Sequence, residues 1–289
     1  MAYTTANLLS AIERRSFMPA NQSTFTDAEI LAMATEELRS FIAPEIINVK
    51  QEYWVYHKDY TITASQAGYA VPDRAFGSTI REVQIVRGNQ IIDLPLIPME
   101  RVNNTQTGTP THFYFKNDKV MLFPTPGTTI DTLRLHYHLT PGELIETSDA
   151  AVISAIDTAT NVVTVTSIPS TWVTGDTFDF VKKSGGHEYR DVDLTSTLVS
   201  GTDITFSSLP SDLAVGDYIC LQGYSPLVQI PFTLRETLAQ HTAAAVLHFA
   251  GQPGAGEARQ MAQAMLAEAI KSLSPRVTGE QQFITHDWF

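Results

Sequence analysis

One stretch of this chain occurs twice, and a short internal repeat leaves few folds open. Residues 163–180 (VTVTSIPSTWVTGDTFDF) align with residues 204–221 (ITFSSLPSDLAVGDYICL) at an offset of 41. Six of the 18 pairs are identical: Thr164/Thr205, Ser167/Ser208, Pro169/Pro210, Ser170/Ser211, Gly175/Gly216 and Asp176/Asp217. Most of the others set apolar against apolar. Each copy reads as a strand, a Ser-x-Pro-Ser loop, a short apolar turn, a Gly-Asp turn and a second strand. A single copy cannot bury its own apolar face, whereas two paired copies can close a small sandwich or barrel. Turn geometry accounts for the Gly-Asp pairs, because Gly supplies positive φ without steric cost. A calcium site shared by Asp176 and Asp217 is the competing reading.

Helical periodicity flanks this unit at both ends of the chain. Residues 5–16 form a short amphipathic helix with Leu8, Leu9 and Ile12 on one side. Thr26-Asp-Ala-Glu29 is a capping box, and Ile30, Leu31, Ala34, Leu38, Phe41 and Ile42 continue it as an apolar stripe. Pro44 opens a second helical piece running to about Glu52. The period then changes to two. Residues 53–63 read as a strand kinked at Asp59, with further strands at 78–88 and 91–97 and a helical turn at 98–106. Residues 111–126 make a hairpin turning at Asn117-Asp118. In the strand at 131–141, Leu133, Leu135, Tyr137 and Leu139 point one way and Arg134, His136 and His138 the other. Two Ala-rich helices follow at 231–250 and 257–273, split by the breaker cluster 251–256, with Pro231 suited to a first turn. The expected class is α+β: a helical bundle formed from both chain ends, a central antiparallel β region, and an inserted duplicated small β-barrel or sandwich. The expected divisions are 1–147 (N-terminal helices and β region), 148–223 (duplicated β domain), 224–275 (closing helical hairpin) and 276–289 (extended docking tail).

The search for chemistry ends without a centre. No phosphate-binding glycine loop, dinucleotide fingerprint, zinc-protease helix or nucleophile elbow occurs. His136 and His138 share a strand face, but a zinc site needs a third protein ligand. His241 and His248 share a helix face, a spacing that reads as packing or a subunit contact. Asp59 and Asp73-Arg74 read as ion pairs or caps. The single cysteine, Cys220, cannot form an internal disulfide and reads as a buried small hydrophobe. No catalytic residue, metal site or cofactor is expected. Net charge is −12, and residues 148–223 hold ten acids against three bases. Such a chain repels DNA rather than gripping it through counterion release. No apolar run is long enough for a transmembrane helix, and residues 1–17 do not read as a secretory signal.

Several segments together resemble a known family. They are the capped helix pair, WVYHKDYTI (54–62), YAVPDR (69–74), MLFPTP (121–126) and LRLHYHLTP (133–141), followed by closing helices and a tail. This order is similar to the head-to-tail adaptor, or connector, proteins of tailed bacteriophages, over about residues 1–145 and 225–289. The resemblance implies a non-enzymatic virion protein at the capsid–tail junction. It implies a ring of about twelve copies beneath the portal protein, a tail-side nozzle or fibre partner, and genomic DNA passing through the lumen without specific binding. It also implies that the tail docks into the portal, with Phe283, Ile284, Trp288 and Phe289 as anchors. The alternative is a receptor- or glycan-binding virion component that uses the inserted β domain.

Overall fold

A computed structural model describes residues 3–16, 24–102, 106–128, 131–183 and 189–273. The chain forms two compact units, Met1–Gln51 with Gly142–Phe289, and Glu52–Pro141.

The first unit begins with helix α1 (Thr5–Ser16) and helix α2 (Asp27–Glu37). The capping box at the start of α2 is formed: Glu29 N–H donates to Thr26 Oγ1 at 3.2 Å, and Thr26 N–H donates to Glu29 Oε2 at 2.7 Å. A cap of this kind is worth about 1 kcal/mol. The helix then widens into a π turn over Leu38–Ile42, where Ala43 N–H reaches the Leu38 carbonyl, before helix α3 (Ala43–Val49) resumes. Pro44 supplies a reason for the widening. It has no N–H to give the preceding turn, and its ring collides with the carbonyl four residues back in a regular helix. The extra residue keeps Leu38 and Ile42 buried and leaves Phe41 40% exposed. Helix α3 stops at Val49, short of the expected Glu52.

The second unit is built from strands β1 (Val55–Thr61), β2 (Gly68–Ala70), β3 (Ala75–Arg87), β4 (Gln90–Asp93), β5 (Thr107–Gly108), β6 (His112–Lys116), β7 (Lys119–Phe123), β8 (Thr125–Pro126) and β9 (Thr132–Leu139). Its main sheet runs β1-β9-β3-β4, all antiparallel. The alternation of β9 is realised in full. Leu133, Leu135, Tyr137 and Leu139 are buried, and the residues between them are half-buried. Strand β1 holds a continuous register against β9 from Val55 to Thr61, so the expected kink at Asp59 is absent. Asp59 instead accepts two hydrogen bonds from Arg134 at 2.8 Å each, which fixes it across the strand pair. The β6–β7 hairpin turns on Asn117 and Asp118, both at positive φ, as a two-residue primed turn requires. The expected strand at 91–97 is shorter, ending at Asp93, and Leu96 makes only an isolated bridge to Phe113. Pro95 and Pro98 lack the donors that would extend it.

The chain returns to the first unit through β10 (Glu143–Leu144). It then forms β11 (Ala151–Asp157), β12 (Val162–Val165), β13 (Thr177–Val181), β14 (Tyr189–Ser200), β15 (Asp203–Phe206), β16 (Tyr218–Leu221) and β17 (Tyr224–Ser225). Strands β11 to β16 close a barrel in the ring order β11-β12-β15-β14-β13-β16. Exchanging the first three strands for the last three reproduces this same ring, so the sequence repeat is a two-fold of the fold. The register agrees: β12 pairs with β15 at Val163↔Ile204, and β13 pairs with β16 at Asp179↔Cys220, both separated by the repeat offset. Trp172, Phe178, Phe180 and Phe206 interlock edge-to-face in the core with Ile153, Val163, Ile204 and Ile219. Closure leaves none of the six strands with an open edge.

The two-fold is broken at its axis. Where one copy has the buried Cys220 thiol, the other has Asp179, also fully buried. That carboxylate accepts from the Asp193 and Gly223 N–H groups, each at 3.0 Å, which offsets its desolvation. Short strands β10 and β17 pair in parallel at the base of the barrel, with Glu143 N–H donating to the Gly223 carbonyl at 2.7 Å.

Helices α4 (Phe232–Phe249) and α5 (Ala255–Ser272) finish the described chain. Helix α5 starts inside the breaker cluster because Gly254, at φ 95°, takes the left-handed conformation at its N-cap. Helix α4 is the central helix, buried along most of its length from Leu234 to Val246. Thr5 N–H donates to the Pro226 carbonyl, Val228 N–H donates to the Tyr3 carbonyl, and Arg15 pairs with Glu236. The bundle is therefore made from both ends of the chain. The result is an α+β protein with a small closed barrel inserted between its helical elements.

Candidate functional site

A concavity lies in the helical bundle. Helix α2 brings Met33, Glu36 and Glu37 to one side of a groove of about 410 Å3. The end of α4 supplies Ala244, Ala245, His248 and Phe249, and the first turns of α5 supply Ala255, Gly256 and Arg259. Glu37 and Arg259 give it a polar floor. Glu37 Oε2 accepts from Arg259 at 2.6 Å and makes a 3.1 Å hydrogen bond with Nδ1 of His241, which is fully buried. Arg259 also lies 4.5 Å from the Phe41 ring centroid, and Phe41 stacks on His241 at 5.7 Å. The π turn matters here, because it swings Phe41 out to meet Arg259. Both contacts fall on the same carboxylate oxygen, so Glu37 ties a guanidinium of α5 and an imidazole of α4 to the end of α2. His241 thus serves packing, as its spacing suggested, while the exposed His248 lines the groove. Glu37 and Arg259 were not singled out from sequence. The available signal was an acid adjoining the apolar stripe of α2.

The strand histidines do not converge. His136 Nε2 is 2.9 Å from Gln84 Oε1, and His138 Nδ1 is 3.0 Å from the Tyr53 carbonyl. His57, opposite His136 across β1 and β9, lies at a ring separation of 5.6 Å. Burial, and after it the neighbouring His57, hold the pKa of His136 below the usual imidazole value. The rings share one face of the β1–β9 pair, with His136 and His138 each held by a hydrogen-bond partner of its own.

The two Gly-Asp turns are built alike. Asp176 accepts from Val173 N–H at 2.7 Å, and Asp217 accepts from the corresponding Ala214 N–H at 3.1 Å. Gly175 and Gly216 sit at φ 95° and 88°. Asp217 also accepts from Lys183 N–H at 3.0 Å and Arg190 Nε at 2.8 Å, so its oxygens are committed. Among the described residues no cluster of three or more His, Cys, Asp or Glu side chains is arranged to hold a metal ion. Trp172 and Tyr189 are buried, and Tyr218 is half-buried. Cys220 is buried, with Sγ 2.9 Å from the Tyr224 carbonyl.

What the surface does offer is exposed apolar side chains. Ile91, Ile92, Leu96, Met99 and Phe115 are exposed in the second unit, and Phe232 and Phe249 at the two ends of α4. Among the described residues no helix is long and apolar enough to cross a membrane. The expected docking anchors Phe283, Ile284, Trp288 and Phe289 lie outside the described residues.

Comparison with known proteins adds one positive finding. The family model described as SU10 adaptor protein matches residues 3–176, more than half of the chain. The matched region runs from α1 through the sheet unit and ends within the first copy of the barrel repeat. The second copy and helices α4 and α5 fall outside it. No curated protein matches the chain.

Proposed function

This chain belongs to the SU10 adaptor protein family of phage structural proteins, and we propose from that premise that it connects the portal to the tail. In this reading, copies of the chain form a ring of about twelve beneath the portal protein at the capsid vertex. The ring extends the DNA channel and presents a platform to a nozzle or fibre protein. The observation that carries the proposal is the family match over residues 3–176. Three physical features support it. The net charge of −12 suits a lumen through which DNA slides without adhering. The exposed apolar residues of the sheet unit and of α4 supply contact area for heterologous packing around a ring. Residues 277–289 carry the aromatic Phe283, Trp288 and Phe289 and the aliphatic Ile284, large apolar side chains suited to anchoring an interface.

The test is assembly. The purified chain is mixed with the portal protein of the same virus and imaged by negative-stain electron microscopy. The expected result is a ring of about twelve subunits stacked on the portal, as the family resemblance implies. Deletion of residues 277–289 is expected to abolish portal binding while leaving the circular dichroism spectrum intact. Unchanged affinity in the truncated chain refutes the docking role of these residues. Absence of any ring, alone or on the portal, refutes the connector reading itself.

A further inference from the structure

Helix α4 carries two unlike features at its ends, and the first is a knob. Phe232, at its start, is 79% exposed. Beside it the half-buried Arg235 guanidinium lies 5.6 Å from the Phe232 ring centroid and 4.9 Å from that of Tyr3. Its Nε is buried without a hydrogen-bond partner, and burial holds its pKa below the ordinary arginine value. The neighbouring acid, Glu236, is taken by Arg15. The charges acting on Tyr3 are those of Glu236, Arg15, Arg235 and Arg14, one acid against three bases. A cation seated on rings alone lacks the carboxylate that would offset its desolvation.

The second feature is the groove at the other end of α4. Ala244, Ala245 and Gly256 make slim walls, and Phe249 stands exposed beside them. A volume of about 410 Å3 is in the range of small-ligand pockets. Its polar groups are only partly used. Glu37 holds Arg259 and His241. Glu36 and His248 also line the groove and are exposed, and Glu36 has no ion pair among the described residues. Nε2 of the buried His241, on the same face of α4 as Ala245 and His248, has no hydrogen-bond partner. The lining carries two acids, Glu36 and Glu37, against one arginine, Arg259. Apolar walls with a spare carboxylate select a donor-rich cation on an apolar carrier, and a guanidinium has five donors and no acceptor.

Knob and groove suit each other, but not within one chain. Helix α4 has 18 residues, about 27 Å at about 1.5 Å per residue, and holds its two ends that far apart. We propose that Phe232 and Arg235 of one copy enter the groove of a second copy, where Arg235 pairs with Glu36 and Phe232 packs against Phe249 and the alanine wall. The two surfaces are different, so each copy gives its knob to one neighbour and receives a knob from the other. Such a heterologous contact propagates around a ring when its rotation closes. The inference deepens the connector reading by naming the contact between subunits, and it rests on that reading only for closure at about twelve copies.

Sedimentation velocity on the full chain, alone and with the portal protein, tests this over a range of concentrations. Phe232→Ser, Arg235→Glu and Glu36→Arg are each expected to weaken self-association by about tenfold or more, the loss typical of a buried interface anchor. Phe232 and Glu36 are exposed, so their variants are expected to keep the wild-type thermal transition. Mixing supplies the decisive arm. The Arg235→Glu chain alone sets acid against acid, and the Glu36→Arg chain alone sets base against base. Mixed together, every knob meets a groove of opposite sign, and association is expected to recover. Single variants that associate as the wild type does overturn the inference, as does a mixture that gains nothing over its parts. A wild-type chain that stays monomeric both alone and on the portal overturns it too. Rings that form on the portal with unchanged affinity in all three variants defeat only this contact. Recovery on mixing without any portal binding defeats only the portal reading.

Discussion

Substituting Asp217 by alanine is expected to destabilise the barrel far more than the same change at its repeat partner Asp176. The two residues occupy equivalent turns, so the backbone geometry is its own control. Asp217 is 1% exposed and accepts hydrogen bonds from Lys183 N–H, Ala214 N–H and Arg190 Nε. Its removal strands two partly buried backbone donors, at about 1–1.5 kcal/mol each. Arg190 keeps its bond to Asp212 at 2.8 Å but loses the buried partner, a further loss of about 1 kcal/mol. The total is about 3–4 kcal/mol. Asp176 is half-buried and accepts only from Val173 N–H, so Asp176→Ala is expected to cost about 1 kcal/mol. Urea denaturation followed by intrinsic fluorescence reads the difference. With a slope of about 2.5 kcal/mol per molar, the midpoint is expected to fall by about 1.4 M for Asp217→Ala and by about 0.4 M for Asp176→Ala. Equal costs at the two positions, or a cost below about 1 kcal/mol at Asp217, refute the assignment of Asp217 as the buried anchor of the turn.

Two further outcomes follow from the same geometry. The lowered pKa of His136 means that below the ordinary histidine value the unfolded chain binds a proton that the folded chain refuses. The stability of the sheet unit is therefore expected to be full above about pH 6.5 and to fall as pH drops towards the lowered folded value. His136→Gln should flatten that slope in urea midpoints measured between pH 5 and 8, and an unchanged slope rules His136 out as its source. Deleting residues 148–223 and joining the ends with a short Gly/Ser linker is expected to leave a cooperatively unfolding remainder. Strands β10 and β17 pair in parallel with Glu143 opposite Tyr224, so the linker has only to span back over the few residues from 143 to 147, about 13 Å at most at about 3.3 Å per residue. Loss of a cooperative thermal transition would show that the barrel is integral to the helical bundle.

Much of the local structure was legible because short-range rules governed it. The Thr26–Glu29 box, the Asn117-Asp118 turn and the alternation of β9 each follow from residues within a few positions of one another. The departures have equally local causes. Pro44 brought a π turn where a helix restart was expected, Pro95 and Pro98 cut β4 short, and Gly254 let α5 begin early. Asp59 stayed in a straight strand because Arg134, 75 residues away, was there to receive it.

The repeat at 163–180 and 204–221 by itself determined that two half-units must pair, since neither can cover its apolar face alone. It also determined where the turns fall, because the Gly-Asp steps admit one backbone geometry. Only the tertiary structure decided that the pairing closes as a ring, with Asp179 facing Cys220 on the axis and backbone donors gathered around the buried carboxylate. The same holds for Glu37, whose partners His241 and Arg259 lie more than 200 residues away. Periodicity tells a residue which side it faces. What waits on that side is set by contacts between distant segments, and their complementarity exists only once the chain has folded.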